Sequence, residues 1–137
     1  DGLFSKFMDI NTLEDYYTIL QVQTSEYWET HYSFDKASKK TIKKISKPFV
    51  DLLLINTIIP LKFIFLKHQG KLEEASILNI IQQIKPEKNS IISKFSKLKI
   101  KGRNAFETQA LLQLKNEYCT NNKCLKCAIG NTLLQEN

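Results

Sequence analysis

The chain is poor in the residues that make tight turns, with four glycines and three prolines among 137 residues. A β-sandwich or barrel needs frequent turns, so this shortage argues against a many-stranded sheet and favours helices. The sequence also has no glycine-rich phosphate loop and no His-Glu-x-x-His zinc-protease motif. We therefore assign no catalytic residue and no organic cofactor, and expect this chain alone not to be an enzyme.

Cysteine is scarce as well, and all three cysteines lie within residues 119–127. An odd number in one cluster does not form a disulfide framework, and no signal peptide is visible at the start. We therefore expect a cytoplasmic protein. Because the first residue is Asp1 and not Met, we also expect a piece of a longer polypeptide.

The remaining composition is that of an ordinary globular protein, with 42% hydrophobic and 25% charged residues. A chain of this length can form one domain with its own core and is short for two, so we predict one domain over residues 1–137. The net charge is +6. A polyanion such as nucleic acid suits this charge as a partner, and so does a plain solvated surface.

Capping and stop signals divide the chain into helices. Capping-box spacing occurs at Asn11 with Glu14 and again at Asn104 with Glu107, and Asn89 is placed to cap a further helix. Gly70 is placed to end one. We predict an all-α bundle of about six or seven helices. The stretch near residues 27–34 alternates as a short strand or hairpin would, and a helix there stays an alternative.

An almost unbroken apolar run from Phe49 to Leu66 predicts the central helix. Its length matches a membrane crossing, but Asp51 and Lys62 lie within it, and a charge at mid-bilayer costs roughly 2.5–3.5 kcal/mol. We therefore predict a buried core helix and no membrane partner. Pro60 cannot donate to the carbonyl of Asn56, so a kink or break is expected there.

Lysines recur at intervals of three and one in "DKASKKTIKKISKPF", residues 35–49. This spacing predicts an amphipathic helix with a lysine face, which with the loop "KLKIKGR" would contact a nucleic-acid backbone. The predicted nucleic-acid-binding residues of the helix and the loop are Lys36, Lys39, Lys40, Lys43, Lys44, Lys47, Lys99, Lys101 and Arg103. Tyr27, Trp28 and Tyr32 would stack on bases. The excess of lysine over arginine argues against specific phosphate recognition, and a solvated face is the alternative.

The cysteines have the spacing C-x4-C-x2-C, and a polar "TNNK" loop is long enough to fold Cys119 back towards Cys124 and Cys127. Thiolates are ligands for zinc or an iron–sulfur cluster, which predicts a structural metal site. Such a site needs a fourth ligand, for which His68 or His31 is the candidate. The alternatives are small buried hydrophobes in a helix corner or a redox-active pair.

A catalytic alternative also exists in the sequence. His31 has the acidic neighbours Glu26, Glu29 and Asp35, and Cys119 could act as a nucleophile with a histidine base. No spacing among these residues requires that chemistry, so they carry no prediction of activity.

Five blocks in order resemble a bacterial family known as domain of unknown function 2851. They are "YWETHYSF", "LLINTIIPL", "PEKNSII", "AFETQALLQLKNEYC" and "KCLKCAIG". The resemblance is to the C-terminal portion of larger proteins, and it implies no established activity. The N-terminal region of those proteins has motifs reminiscent of nuclease-like folds, and none occurs here.

Three functions follow from these observations. The first, which we favour, is a non-catalytic accessory domain whose helices cover the N-terminal remainder of the same polypeptide; it should expose an apolar patch of several hundred Å² when isolated. The second is a basic nucleic-acid-binding module. The third is part of a nuclease-like enzyme whose catalytic region is absent from this sequence.

Overall fold

Helices dominate the computed structural model, which describes residues 2–135. Eight helices and one two-stranded hairpin occur in this range, which confirms the all-α fold class. The chain divides into two compact units, the first up to Ile80 and the second from Ile81. The extent of a single domain over the whole chain stays a prediction.

The first unit contains most of the elements. In chain order they are helices α1 (Leu3–Asp9), α2 (Leu13–Ile19) and α3 (Glu26–Glu29), strands β1 (His31–Ser33) and β2 (Lys36–Ala37), and helix α4 (Lys47–His68). Helix α5 (Glu74–Gln83) crosses the boundary between the units. Both alternatives left open for residues 27–34 occur, since α3 covers the first part and the antiparallel hairpin β1–β2 follows immediately.

Helix α4 is the central helix that the apolar run predicts. It widens into a π turn over Leu54–Ile58, just before Pro60. Proline has no N–H for the helical ladder, so the turn relaxes where a hydrogen bond is missing. The helix does not break at Pro60, and the kink or break predicted there takes the form of this π turn. The core of the unit is formed by buried side chains of α1, α2 and α4, among them Met8, Tyr16, Leu54 and Ile58.

Two of the three predicted N-caps are confirmed, one is wrong, and the predicted helix end at Gly70 is confirmed. Asn89 and Asn104 each accept a hydrogen bond from the backbone N–H three residues on. Gly70 ends α4 with φ +68°, a conformation that glycine adopts without strain. The start of α2 is capped by Thr12, not by Asn11, because the Asn11 side-chain oxygen accepts instead from the ammonium of Lys62 at 3.0 Å.

The predicted lysine helix over residues 36–47 is wrong. After β2 the chain runs extended to Ser46, the N-cap of α4. Lys43 accepts through its carbonyl from the N–H of Thr24, and the N–H of Ile45 donates to Val22. These hydrogen bonds to a segment about 20 residues earlier take the place of the hydrogen bonds within a helix. Because side chains alternate along extended backbone, the lysines lie on more than one side of it.

The second unit is a set of shorter helices. They are α6 (Ser90–Lys97), α7 (Ala105–Gln113, continued by a π turn over Leu114–Cys119), a 3₁₀ turn (Cys124–Lys126) and α8 (Ala128–Gln135). Ile84, Ile92, Ala105 and Thr108 are buried within this unit. Thr108 is satisfied there, since its hydroxyl donates to Ala105 and accepts from the N–H of Glu87.

Candidate functional site

An aromatic cluster surrounds the hairpin. The ring of His31 stacks on Tyr27 with centroids 4.1 Å apart, and Phe34 meets Trp28 edge-on at 5.1 Å. Tyr32 and Phe34 are nevertheless 75% exposed each. Large aromatic side chains are rarely left this open to water, so the tip of the hairpin presents two rings that the unit covers only in part.

His31 has a local role in this cluster. Its Nδ1 lies 2.9 Å from the carbonyl of Tyr27 and 3.0 Å from the hydroxyl of Thr30. These contacts and the stack on Tyr27 fix the ring against the turn between α3 and β1. Within residues 2–135 no carboxylate forms a hydrogen bond with the His31 ring, and His31 is not part of a metal-binding group.

The lysines of residues 36–47 lie around the hairpin and the extended segment. Lys43 donates to the carbonyl of His31 at 2.7 Å and lies 3.5 Å from the centre of the Tyr32 ring. Lys40 pairs with Glu29 at 3.5 Å. Lys36, Lys39 and Lys44 are exposed and form no ion pair with any residue that the structure describes.

A groove borders the same segment. Its volume is about 810 Å³, and its lining includes Tyr17, Gln21, Lys44 and Lys47. The Lys47 ammonium lies 4.0 Å from the centre of the Tyr17 ring. The Tyr17 hydroxyl donates to Asp51 at 2.6 Å, and burial together with that carboxylate raises the pKa of Tyr17. Two ammonium groups therefore border a partly apolar groove.

The other predicted basic residues, Lys99, Lys101 and Arg103, belong to the second unit. Arg103 is engaged by Glu107, with its Nε and Nη2 at 2.8 and 2.6 Å from one carboxylate oxygen. This guanidinium also lowers the pKa of Glu107. Arg103 is thus paired with a carboxylate in the first turn of α7. Because its guanidinium is already occupied, it is less available to bind phosphate than an unpaired lysine.

The three cysteines lie in consecutive turns at the end of α7 and the start of α8. The chain reverses between them, with the N–H of Lys123 donating to Tyr118 at 2.9 Å. Cys119 and Cys124 are exposed and Cys127 is half-buried, so packing as buried hydrophobes does not describe them. Gly130 of α8 fits closely here, since a Cβ at that position would lie 2.4 Å from the carbonyl oxygen of Cys124.

No group of three or more His, Cys, Asp or Glu side chains within residues 2–135 is arranged to hold a metal ion. His31 and His68 belong to the first unit and the cysteines to the second. The three cysteines alone are one ligand short of the four that closed zinc and iron–sulfur sites need.

Metal binding by Cys119, Cys124 and Cys127 stays a prediction of the sequence, with a direct test. If it holds, protein purified without chelators, and anaerobically for iron, contains stoichiometric zinc or iron. A structural zinc would add on the order of 10 kcal/mol to local folding, so chelation should unfold the C-terminal turns. Elemental analysis with circular dichroism measures both. A fully folded, metal-free sample would contradict the prediction, and the Cys127→Ser variant controls for metal bound elsewhere.

Helix α4 carries an exposed apolar face, defined by Phe49, Leu52, Leu61 and Ile64. Their exposed fractions are 51%, 47%, 44% and 64%. Between Leu52 and Leu66 the sequence has one charge, Lys62, and that side chain points inward. α4 is also the one helix of the described chain long and apolar enough to cross a membrane, by length and composition alone.

Lys62 is a site that sequence reasoning missed. The side chain is 1% exposed, and its ammonium donates to the carbonyl of Ile10 and to Asn11 Oδ1. Burial lowers its pKa, and the nearby Asp9 opposes that shift. The signal in the sequence is a lone charge in an apolar run, which also predicts a buried ammonium with polar partners. Lys62 ties the α1–α2 loop to α4.

Comparisons with known proteins identify one relationship. The sequence model of a family described as "Protein of unknown function (DUF2851)" matches residues 1–90. The match thus covers the aromatic cluster, the extended lysine segment and α4, and it ends before the cysteines. No curated protein and no solved structure matches the chain.

Proposed function

The chain belongs to the DUF2851 family, a family of unknown function, and from that premise we propose that it is a non-catalytic interaction domain. In this proposal the apolar face of α4 packs against the N-terminal remainder of the same polypeptide. The observation that carries it is the combination of a long apolar helix with four large exposed side chains and no exposed charge between Leu52 and Leu66.

The pattern on α4 is unusual for a helix that faces water. The solvent side of such a helix normally carries charged residues. Here Leu52, Asn56, Pro60 and Ile64 follow at four-residue intervals, and all four are exposed. The other side of the same helix is fully used, since Val50, Leu54, Ile58 and Ile59 are buried in the unit. A second apolar face of this kind is typical of a helix packed between two layers.

The N-terminal remainder is the occupant that the geometry favours. Phe4, near the start of α1, packs edge-on against Phe65 of α4 with ring centroids 5.2 Å apart. Polypeptide on the N-terminal side of α1 would therefore leave the unit beside α4. Leu3 and Phe4 are themselves 56% and 45% exposed, so they extend the apolar surface towards that point. A tethered partner also has a high effective concentration, which lets a modest interface stay closed.

The interaction can be tested by expressing this chain and the N-terminal remainder as separately tagged polypeptides. We expect the two to co-purify, and we expect the double variant Leu52→Asp with Ile64→Asp to abolish the complex, because it places two charges in an apolar interface. The matched control is Leu98→Asp with Leu125→Asp, which makes the same change at side chains that are 70% and 77% exposed in the second unit. The control should retain the complex.

Stability measurements keep the result interpretable. Both double variants should unfold in urea within about 0.5 kcal/mol of the parent chain, as exposed substitutions usually do. A complex that survives Leu52→Asp with Ile64→Asp would contradict the proposal, as would the absence of any complex. Flotation of the chain with neutral lipid vesicles, lost in the same variant, would assign the face to a membrane and would equally overturn it.

A further inference from the structure

We propose that the hairpin and the extended lysine segment of the first unit bind single-stranded nucleic acid. In this arrangement bases stack on Tyr32 and Phe34, and Lys36, Lys39 and Lys44 contact the phosphates. The site uses other residues than the apolar face of α4, and this proposal does not depend on the function proposed for that face. The ligand is defined by chemistry, as an unpaired polynucleotide strand read without sequence preference.

The aromatic side chains supply the first half of the argument. Tyr32 and Phe34 project from β1 and the hairpin turn, and each is 75% exposed although both residues contact other groups of the unit. Phe34 rests edge-on against Trp28, and Lys43 lies on the ring of Tyr32. These contacts hold the rings in place while leaving much of each ring open. Rings that are fixed and open are what base stacking requires.

Charge supplies the second half. Residues 25–47 contain six lysines against three carboxylates, those of Glu26, Glu29 and Asp35. One of the three, Glu29, is occupied by Lys40. The exposed lysines without an ion pair, Lys36, Lys39 and Lys44, lie in the hairpin and the segment that follows it, and Lys44 also lines the groove with Lys47. They give this part of the unit several ammonium groups that can each contact a phosphate.

The exposed rings favour a single-stranded over a double-stranded nucleic acid as the ligand. In a duplex the faces of the bases are stacked on each other, so a ring on a protein surface cannot reach them without unstacking the helix. Proteins that read the grooves of a duplex commonly use arginine, and residues 2–80 of this unit contain none. Their basic side chains are mainly lysines. The combination of rings and lysines therefore favours an unpaired strand.

A protein partner is the competing occupant, and charge argues against it. An apolar protein interface is depleted in lysine at its centre. Here Lys43 is placed directly on the ring of Tyr32, and Lys36, Lys39 and Lys44 are exposed in the same part of the chain. A polyanion whose bases are aromatic satisfies the rings and the lysines together, whereas an apolar protein surface would satisfy only the rings.

The test is a fluorescence-anisotropy titration of the 137-residue chain with a labelled oligothymidylate and with a duplex of equal length, each at a low and a high salt concentration. We expect the single strand to bind more tightly than the duplex. Tyr32→Ala and Phe34→Ala should each weaken single-strand binding at least about five-fold, the lower bound for loss of one stacked base. Tyr32→Trp keeps a ring and should retain the affinity.

The lysines are tested by the salt dependence. Changing Lys36, Lys39 and Lys44 to Gln should lower the slope of log affinity against log salt by about two, since each single-strand phosphate contact contributes roughly 0.7. The matched control changes Lys88, Lys94 and Lys97 to Gln; these are exposed lysines of the second unit with the same total charge. The control should leave the slope nearly unchanged.

Several results would overturn the proposal. They are the absence of binding at low salt, equal affinity for duplex and single strand with no effect of the ring variants, and equal effects of the two lysine triples. If the ring variants leave oligothymidylate binding intact but break the complex with the N-terminal remainder, the hairpin is a protein interface and the proposal is wrong. That outcome is distinguishable from failure of the α4 interface, which the Leu52 and Ile64 variants report.

Discussion

Replacing Lys62 by glutamate is expected to abolish stable folding of the first unit. The parent side chain is 1% exposed, and its ammonium donates to two oxygen acceptors, the carbonyl of Ile10 and Oδ1 of Asn11. A carboxylate at the same place would face these oxygens with no proton to share, and Asp9 nearby adds a like charge. An uncompensated buried charge costs at least about 3–5 kcal/mol. Small domains have only about 5–15 kcal/mol in total.

Urea unfolding followed by tryptophan fluorescence measures this effect. The chain has one tryptophan, Trp28, and it lies in the first unit, so its emission reports on that unit. Lys67→Glu is the matched control, because it makes the same charge change at an exposed position near the end of the same helix. We expect this control to lose no more than about 1 kcal/mol, through the helix dipole.

A second variant separates the ammonium from its hydrocarbon stem. Lys62→Met keeps a flexible apolar chain of similar length but leaves two acceptors without this donor, which costs about 1–3 kcal/mol. Relief from burying a charge offsets part of that loss. The variant should therefore fold, with a stability between those of the parent and Lys62→Glu. Equal urea midpoints for the parent and Lys62→Glu would show that the side chain is not buried in solution.

Features with a local cause could be predicted from the sequence. The caps at Asn89 and Asn104 need only a side-chain oxygen and the N–H three residues on. Gly70 marks the end of α4 because it takes a positive φ without strain. The irregularity before Pro60 follows from one missing N–H. In each case neighbouring residues contain all the information required.

Features that depend on distant partners could not be predicted in this way. The lysine spacing suits a helix, but the segment pairs with Val22–Thr24. No residue pattern within the segment indicates that pairing. Asn11 has capping-box spacing, yet its oxygen is taken by Lys62, which lies 51 residues away. The chain uses Thr12 instead, whose hydroxyl accepts from the N–H of Asp15 and donates to its carboxylate.

The candidate sites show the same division. The sequence indicates a basic chain with aromatic residues near 27–34. In the structure one of these aromatic residues, Tyr32, contacts Lys43 of the lysine segment. The exposure of Phe34 and of the α4 apolar face could not be predicted, because hydrophobic periodicity states that a side chain is apolar and not which surface covers it. The run from Phe49 to Leu66 is apolar on all sides, so it has no periodicity from which to choose a buried face.

The free energy of unfolding is expected to fall at alkaline pH because of Tyr16. Burial raises the pKa of this phenol to about 12, and the ring is 0% exposed. Its hydroxyl donates to the carbonyl of Phe7 at 2.8 Å and lies 3.3 Å from that of Ile10, and both acceptors favour the protonated form. A raised pKa in the folded state stabilises the fold fully below the unfolded pKa near 10, and that stability is lost as the pH rises towards 12.

The expected loss between pH 9 and 11.5 is about 2 kcal/mol from Tyr16, at about 1.4 kcal/mol for each pH unit above 10. Tyr17, whose pKa is also raised, acts in the same direction. Lys62 acts in the opposite direction, because its pKa is lowered in the folded chain. The cost of burying its charge is present at low pH and is lost as the pH rises from the folded pKa to 10.5.

Comparison with Tyr16→Phe isolates the Tyr16 contribution, because the variant retains both other groups and has no proton to lose at this position. The variant should be less stable than the parent at pH 8, by about 1–3 kcal/mol, because the carbonyl of Phe7 loses this donor. It should also lose less stability on going to pH 11.5, so that the two stabilities converge. Urea unfolding followed by circular dichroism at each pH measures both curves. Parallel curves would mean that Tyr16 ionises as easily in the folded chain as in the unfolded one, and would place its hydroxyl in contact with water.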